Sequence, residues 1–274
     1  MSSAVDLDDP PDRMRSATAR TRRRRDPVRA AARGIGQTLI TFGLITLLFV
    51  GYELWVTDIL SAREQDELSE QIQDEWADLP TVGEPVPSQV GPAPAPLRVS
   101  PGEPFAVLHI PRLGSDWTRV AVEGVSPVQL AQGPGHYTGT ALPGEQGNFA
   151  LAGHRVGRGS PFLDLDQMRP GDPIVVETSD SWFVYRVLGD PAGGSFTGDT
   201  GAIPGQEIVR PENVDVISPT PGSPVDAPAT GAFLTLTTCH PKYSARQRLI
   251  IHARMDGAPL SKASAPGGPP ALVD

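Results

Sequence analysis

One cysteine, Cys239, stands in 274 residues, so no internal disulfide can form. A thiol left single in an exported chain is buried and inert, paired with another chain, or reactive. The His, Cys and Asp residues show no zinc-type spacing, so no metal and no cofactor are expected. No segment repeats, which excludes solenoids and propellers. Charge is absent from Gly34 to Tyr52, between Arg33 and Glu53. Extended to Val56, this apolar run reaches the ~20 residues that cross ~30 Å of hydrocarbon. Tyr52 and Trp55 lie at its distal end, where an aromatic belt would sit. A cleaved signal peptide would have a shorter apolar region and a small-residue cleavage site, which the sequence does not offer.

What is present is unevenly spread. The net charge of −9 divides into +4 over residues 1–33 and −13 over the rest. Nine arginines between Arg13 and Arg33 precede the apolar run, so by the positive-inside rule the N-terminus stays cytoplasmic. The Arg22–Arg25 run then reads as an orientation signal near anionic lipid, with no nucleic-acid partner. The expected localisation is the plasma membrane, single-pass, with the remainder of the chain outside.

Beyond the anchor, Asp58–Trp76 is charged and rich in Glu and Gln, with Leu60, Leu68 and Ile72 among them, the pattern of a polar helix. Prolines at 80, 85, 87, 92, 94, 96, 101 and 104 then favour extended spacing. These features divide the chain into a basic cytoplasmic arm (1–33), a transmembrane anchor (34–56), a polar helical stalk (57–78), a Pro-rich linker (79–104), one catalytic domain (105–256) and a disordered tail (257–274). Within the domain, short apolar runs bounded by Gly, Pro and Asp predict strands at Ala106–Ile110, Arg119–Val122, Asn148–Ala152, Pro173–Glu177, Trp182–Leu188, Val214–Ile217, Phe233–Thr238 and Arg248–Ala253. Pro127–Ala131 predicts a short helix. Many short strands imply a mostly β domain, a closed barrel or sandwich.

Cys239 ends the alternating run Phe233–Thr238, and Pro241 follows, so the thiol opens onto a loop where substrates can reach it. A cysteine nucleophile needs an imidazole to form the thiolate or to protonate a leaving amine. His154 also follows an apolar run and is the best candidate. His109 and His252 lie within strands and read as structural. His240 neighbours Cys239 on a strand and points to the opposite face. His136, in a Gly-rich loop before Tyr137, is placed to line a groove. Arg248 opens the strand nine residues after Cys239, and an antiparallel return would set its guanidinium beside the thiol to stabilise an oxyanion. Arg246 is the rival; the apolar Leu249-Ile250-Ile251 directly after Arg248 favours the latter.

Four segments carry a resemblance. TLTTC, ending at Cys239, resembles the TLxTC signature of the sortases, and the Arg248 strand resembles their arginine strand. NFALAGHR, with His154, and GPGHYTGTALPGEQGN before it resemble the family's histidine segment and its approach. Cys-His-Pro and Tyr137 after Gly-Pro-Gly-His resemble the class E branch of high-GC Gram-positive bacteria. The resemblance implies an eight-stranded β-barrel and a membrane-anchored cysteine transpeptidase. It would cut a Leu-Ala/Pro-x-Thr-Gly sorting signal between Thr and Gly through a thioacyl-enzyme. Implied partners are secreted proteins bearing that signal and an amine of a cell-wall precursor or pilin. It also implies Cys239 as nucleophile, His154 as acid and base, Arg248 at the oxyanion, and Tyr137, Thr238 and His136 around the substrate. One arm of the wider class uses calcium, for which no site is identifiable. A cell-wall transpeptidase of the L,D type would carry Ser-His-Gly-Cys-x-Arg, from which Leu-Thr-Thr before Cys239 departs. An anchored binding module with a structural cysteine is the non-enzymatic alternative.

Overall fold

The computed structural model describes residues 27–52, 57–78, 97, 99–197 and 203–273. The arginine-rich arm before residue 27 and the proline-dense stretch 79–96 lie outside the described residues. The chain forms two compact units, Met1–Phe49 and Val50–Asp274.

The first unit holds α1, Pro27–Gly51, whose apolar side chains are exposed all round. Its 25 residues rise about 37 Å at 1.5 Å each, enough to cross a bilayer. The Thr38 and Thr46 hydroxyls donate to the carbonyls of Gly34 and Phe42 one turn back, so these polar groups are satisfied inside the helix, as hydrocarbon demands. The helix starts seven residues before the apolar run read from the sequence; residues 53–56, its expected end, lie outside the described residues.

The second unit is built on ten strands in one sheet: β1 (Pro104–His109), β2 (Thr118–Glu123), β3 (Gly135–His136), β4 (Gly147–Ala152), β5 (Pro173–Glu177), β6 (Ser181–Val187), β7 (Gln206–Val209), β8 (Ala232–His240), β9 (Gln247–Met255) and β10 (Leu260–Ser261). Eight of them close into a barrel in the order β6-β5-β1-β2-β3-β4-β8-β9, with β9 returning to β6. The length of β9 makes the closure possible. One of its edges pairs with β8, while the other is shared, Arg248–Ile251 with β7 and Ala253–Met255 with β6. Alternation fills the interior with Phe149 and Leu151 of β4, Leu234 and Leu236 of β8, and Leu249, Ile251 and Ala253 of β9. The other face of the same strands carries Ala150, Ala152, Thr235, Thr237 and Cys239 outward.

Three expectations are corrected. Val214–Ile217 is a 3-10 turn and not a strand: only Val216 of its apolar residues is well buried, and Ser218 N–H closes the turn on Asp215 O. A run as short as Val-Asp-Val-Ile cannot by itself distinguish strand from turn. Residues 57–78 do not stand free as a stalk. Helix α2, Thr57–Asp78, packs Leu68 and Ile72 on Val107, Val120 and Val122 of β1 and β2. Its Gln65 accepts the Val120 N–H at 2.9 Å and returns its amide to Val120 O and Gln132 O, completing β2 where the two-residue β3 leaves it unpaired. Gly133 is required there, since a Cβ would lie 2.7 Å from the Val120 carbonyl oxygen. The last segment is ordered as well: β10 pairs with β6, and Ala271 is buried on Val175 and Trp182. Lys262 in this segment pairs with Glu177 at 2.7 Å and lies 3.9 Å from the Trp76 ring of α2. Its Pro, Gly, Ala and Ser composition resembles a tail because its contacts are made by backbone and by single side chains. The strands β3 and β7, unmarked by any apolar run, complete the sheet.

Candidate active site

Cys239 and Arg248 are direct cross-strand partners in the β8–β9 ladder. Residues so paired hold their Cβ atoms about 4.5–5.5 Å apart on one face. The third residue arrives from β4, which runs parallel to β8 with Ala152 beside Thr237. The pairing continues past the strand end: Gly153 N–H donates to Thr237 O at 3.0 Å, and the Thr238 hydroxyl donates to Gly153 O at 2.8 Å. His154 therefore emerges level with Cys239 on the outward face. All three side chains are half-buried. Among the described residues neither the thiol nor the imidazole makes a hydrogen bond, a looseness common before substrate binds. The Arg248 Nη1 donates to Ala245 O at 2.9 Å and Gln247 O at 3.0 Å, holding the β8–β9 loop.

Burial lowers the His154 pKa below its ordinary value, and the Arg158 guanidinium adds to the shift. The imidazole is therefore mainly neutral at pH 7. The loop that follows is fixed by Arg155, buried beside His154, which donates to Leu163 O at 2.8 Å and pairs with Asp166 at 2.7 Å. Lys242 reaches from the loop after Cys239 to Asp164 at 3.0 Å and ties it to the loop after His154. Sequence reasoning missed Arg155 and Lys242, whose only signals were their places beside His154 and just after Cys239.

The other expected site residues divide. Tyr137 is half-buried on the outward face, its hydroxyl 2.9 Å from Thr237 Oγ1, two residues before Cys239. Thr238 is buried with its hydroxyl spent on Gly153, so that hydroxyl holds the His154 segment. His136 is withdrawn from the groove. It is buried between Phe105 and Phe149, with Nδ1 2.6 Å from Glu123 and Nε2 3.1 Å from Ala141 O. Among the structural histidines, His109 meets Glu177 at 2.8 Å.

A family model described as "Sortase domain" matches residues 108–256. Sortase SrtE1 of Streptomyces coelicolor is 37% identical over 252 residues, covering 89% of this chain but 61% of that protein, so the chain spans less than two thirds of this relative. Sortase SrtE2 of the same organism is 35% identical over 243 residues, covering 84% of this chain and 85% of SrtE2. Among solved structures, the SrtF sortase from Corynebacterium diphtheriae superposes with a TM-score of 0.60 at 40% identity, covering 68% of this chain and all of that one.

Proposed function

The chain belongs to the sortase family of cysteine transpeptidases, and from that premise we propose that it cuts a Leu-Ala-x-Thr-Gly sorting signal through a thioacyl-enzyme on Cys239. The observation that carries this reading is the outward cluster in which Cys239 and Arg248 share a cross-strand rung and β4 delivers His154 beside them. Cys239 passes its thiol proton to His154 as the sulfur adds to the Thr carbonyl, and the C–N bond to Gly breaks as His154 gives that proton to the departing amine. An amine of a cell-wall precursor or pilin then attacks the thioester. His154 takes the proton from that amine, the C–S bond breaks as the new amide forms, and His154 returns the proton to the Cys239 sulfur. Arg248 exchanges its loop carbonyls for the oxyanion, a donor role worth on the order of 10²–10³ in rate.

Tyr137 forms the wall beside the signal's second residue. Its hydroxyl, already on Thr237, is placed to accept a backbone N–H that Ala offers and Pro lacks. Helix α1 anchors the enzyme with its N-terminus cytoplasmic and the barrel outside. A C-terminal reporter that works only in the cytosol would reverse this topology.

The test is a peptide panel varied at the second signal position, read by mass spectrometry for a thioacyl adduct on Cys239 and for acyl transfer. Leu-Ala peptides are expected to exceed Leu-Pro peptides, and Tyr137→Phe to narrow that gap about fivefold, the worth of one hydrogen bond. Resistance of Cys239 to methyl-methanethiosulfonate in the folded barrel, or no adduct from any peptide, sinks the proposal.

A further inference from the structure

A chain of buried polar groups runs along the outward face, four residues down β8 from the nucleophile. It begins at the turn after Asn213. The Asn148 amide nitrogen of β4 donates to Val216 O at 3.2 Å and Ser218 O at 3.0 Å. Both amide hydrogens are thus used on the turn, and the Asn148 oxygen is directed to β8, where it accepts the Thr235 hydroxyl at 2.8 Å. Thr235 also reaches Val216 O, at 3.4 Å. Having given its proton, Thr235 Oγ1 accepts from His252 Nδ1 of β9 at 2.9 Å. His252 Nε2 meets Glu207 of β7 at 3.1 Å. Asn148, Thr235 and His252 are almost wholly buried, and Glu207 alone reaches solvent. The Asn148 and Thr235 joints each run one way and His252 Nδ1 closes on them, so the chain ties the turn to β8 and β9 as a unit.

Thr235 and Cys239 point to the same face, and four residues of strand span about 13 Å. The turn therefore crosses the outward face of β4 and β8 at the distance an extended peptide covers in about four residues from its scissile carbonyl. We infer that His252 is a positioning residue for the peptide groove: acting through Thr235 and Asn148, it pins the 213–218 turn as the far wall of the groove, with Glu207 holding His252 in turn. The inference rests on the sortase reading of that face as the peptide groove. A histidine that merely stabilised the barrel would alter the amount of active enzyme. One that sets the wall alters the affinity for peptide.

The test uses the purified full-length protein in detergent, with active sites counted by methyl-methanethiosulfonate. His252→Leu is expected to raise KM for the signal peptide about tenfold, with kcat per active site within about twofold, the signature of lost binding. Amide hydrogen exchange over residues 213–219 should rise at least about tenfold while residues 232–240 stay protected. In His252→Asn the amide nitrogen takes the place of Nδ1, and KM should return most of the way. Unchanged KM and unchanged exchange in the turn overturn the inference, as does a fall in kcat at constant KM or loss of protection in 232–240. If His252→Leu does not fold, Thr235→Val breaks the same chain isosterically and is read the same way. If the wild type cuts no signal peptide, the substrate reading fails separately, and exchange in the turn alone decides: faster exchange supports the positioning role and unchanged exchange refutes it.

Discussion

Replacing Ile72 with Ala tests whether α2 is part of the folded enzyme. Ile72 is fully buried, and with Leu68 it meets Val107, Val120 and Val122 across the outside of β1 and β2. Truncating a buried Ile removes its transfer energy and leaves a cavity, together about 2–5 kcal/mol. The site lies at the surface of the barrel, where α2 can shift to close the gap, so about 2–3 kcal/mol is the expectation. With an m-value of about 2–3 kcal/mol per M urea, the midpoint of a fragment beginning at Thr57 should fall by about 1 M. Glu70→Ala, on the exposed side of the same helix, should leave it within about 0.2 M. Trp76 reports the same event by fluorescence, because undocking of α2 separates its ring from the Lys262 ammonium. An unchanged midpoint in Ile72→Ala would mean that α2 contributes nothing to the unit and that its packing on β1 and β2 is incidental.

Arg248→Ala should lower kcat/KM for a sorting-signal peptide by about 10²–10³, while Arg246→Ala, exposed and two residues out of the cysteine rung, should remain near normal; equal losses would undo the choice of arginine. Arg158→Ala removes the cation that helps depress the His154 pKa, so the His limb of the pH–rate profile should move to higher pH; a stationary limb would refute the coupling. The same depression means that the unfolded chain takes up the His154 proton first as pH falls below about 6.5, so His154 weakens folding on acidification. His154→Gln should be less acid-sensitive in that window, as followed by circular dichroism. At Glu177, burial pushes the pKa up, but hydrogen bonds from His109 and Lys262 outweigh it and the net shift is downward. Glu177 therefore contributes stability above its unfolded pKa that is lost as pH falls through the folded one, and Lys262→Met should move the acid-unfolding midpoint to higher pH.

The arrangement of the candidate site was legible because Cys239, His154 and Arg248 each end or open an apolar alternating run. Cys239 and Arg248 were separable from other thiols and guanidiniums by their places at strand termini nine residues apart, a spacing that an antiparallel return brings into one rung. His154 was legible for the same reason. The contacts of His136 and Thr238 were not legible, since a Gly-rich loop or a residue beside the nucleophile says nothing about what has already claimed its hydrogen bonds: Glu123 and Ala141 in one case, Gly153 in the other. Outside the site, strands with long apolar runs were legible to within a few residues. β3 and β7 were not, because two residues carry no periodicity and Gln206–Val209 shows no continuous apolar face. Helix α2 was visible as a helix, but two buried residues, Leu68 and Ile72, among many charges did not show that it docks.

That docking changes what the proline-dense stretch is. Asp78 ends a helix seated on β1 and β2, and Pro104 begins β1, so both ends of residues 79–103 are fastened to the same body. The chain therefore leaves and rejoins one folded unit across the prolines. The length of that stretch is then nearly free to drift, since doubling a loop costs only about 0.6 kcal/mol in closure entropy. A soluble enzyme cut to begin after the prolines would leave behind Gln65 and Ile72, and with them the helix that covers the outside of β1 and β2.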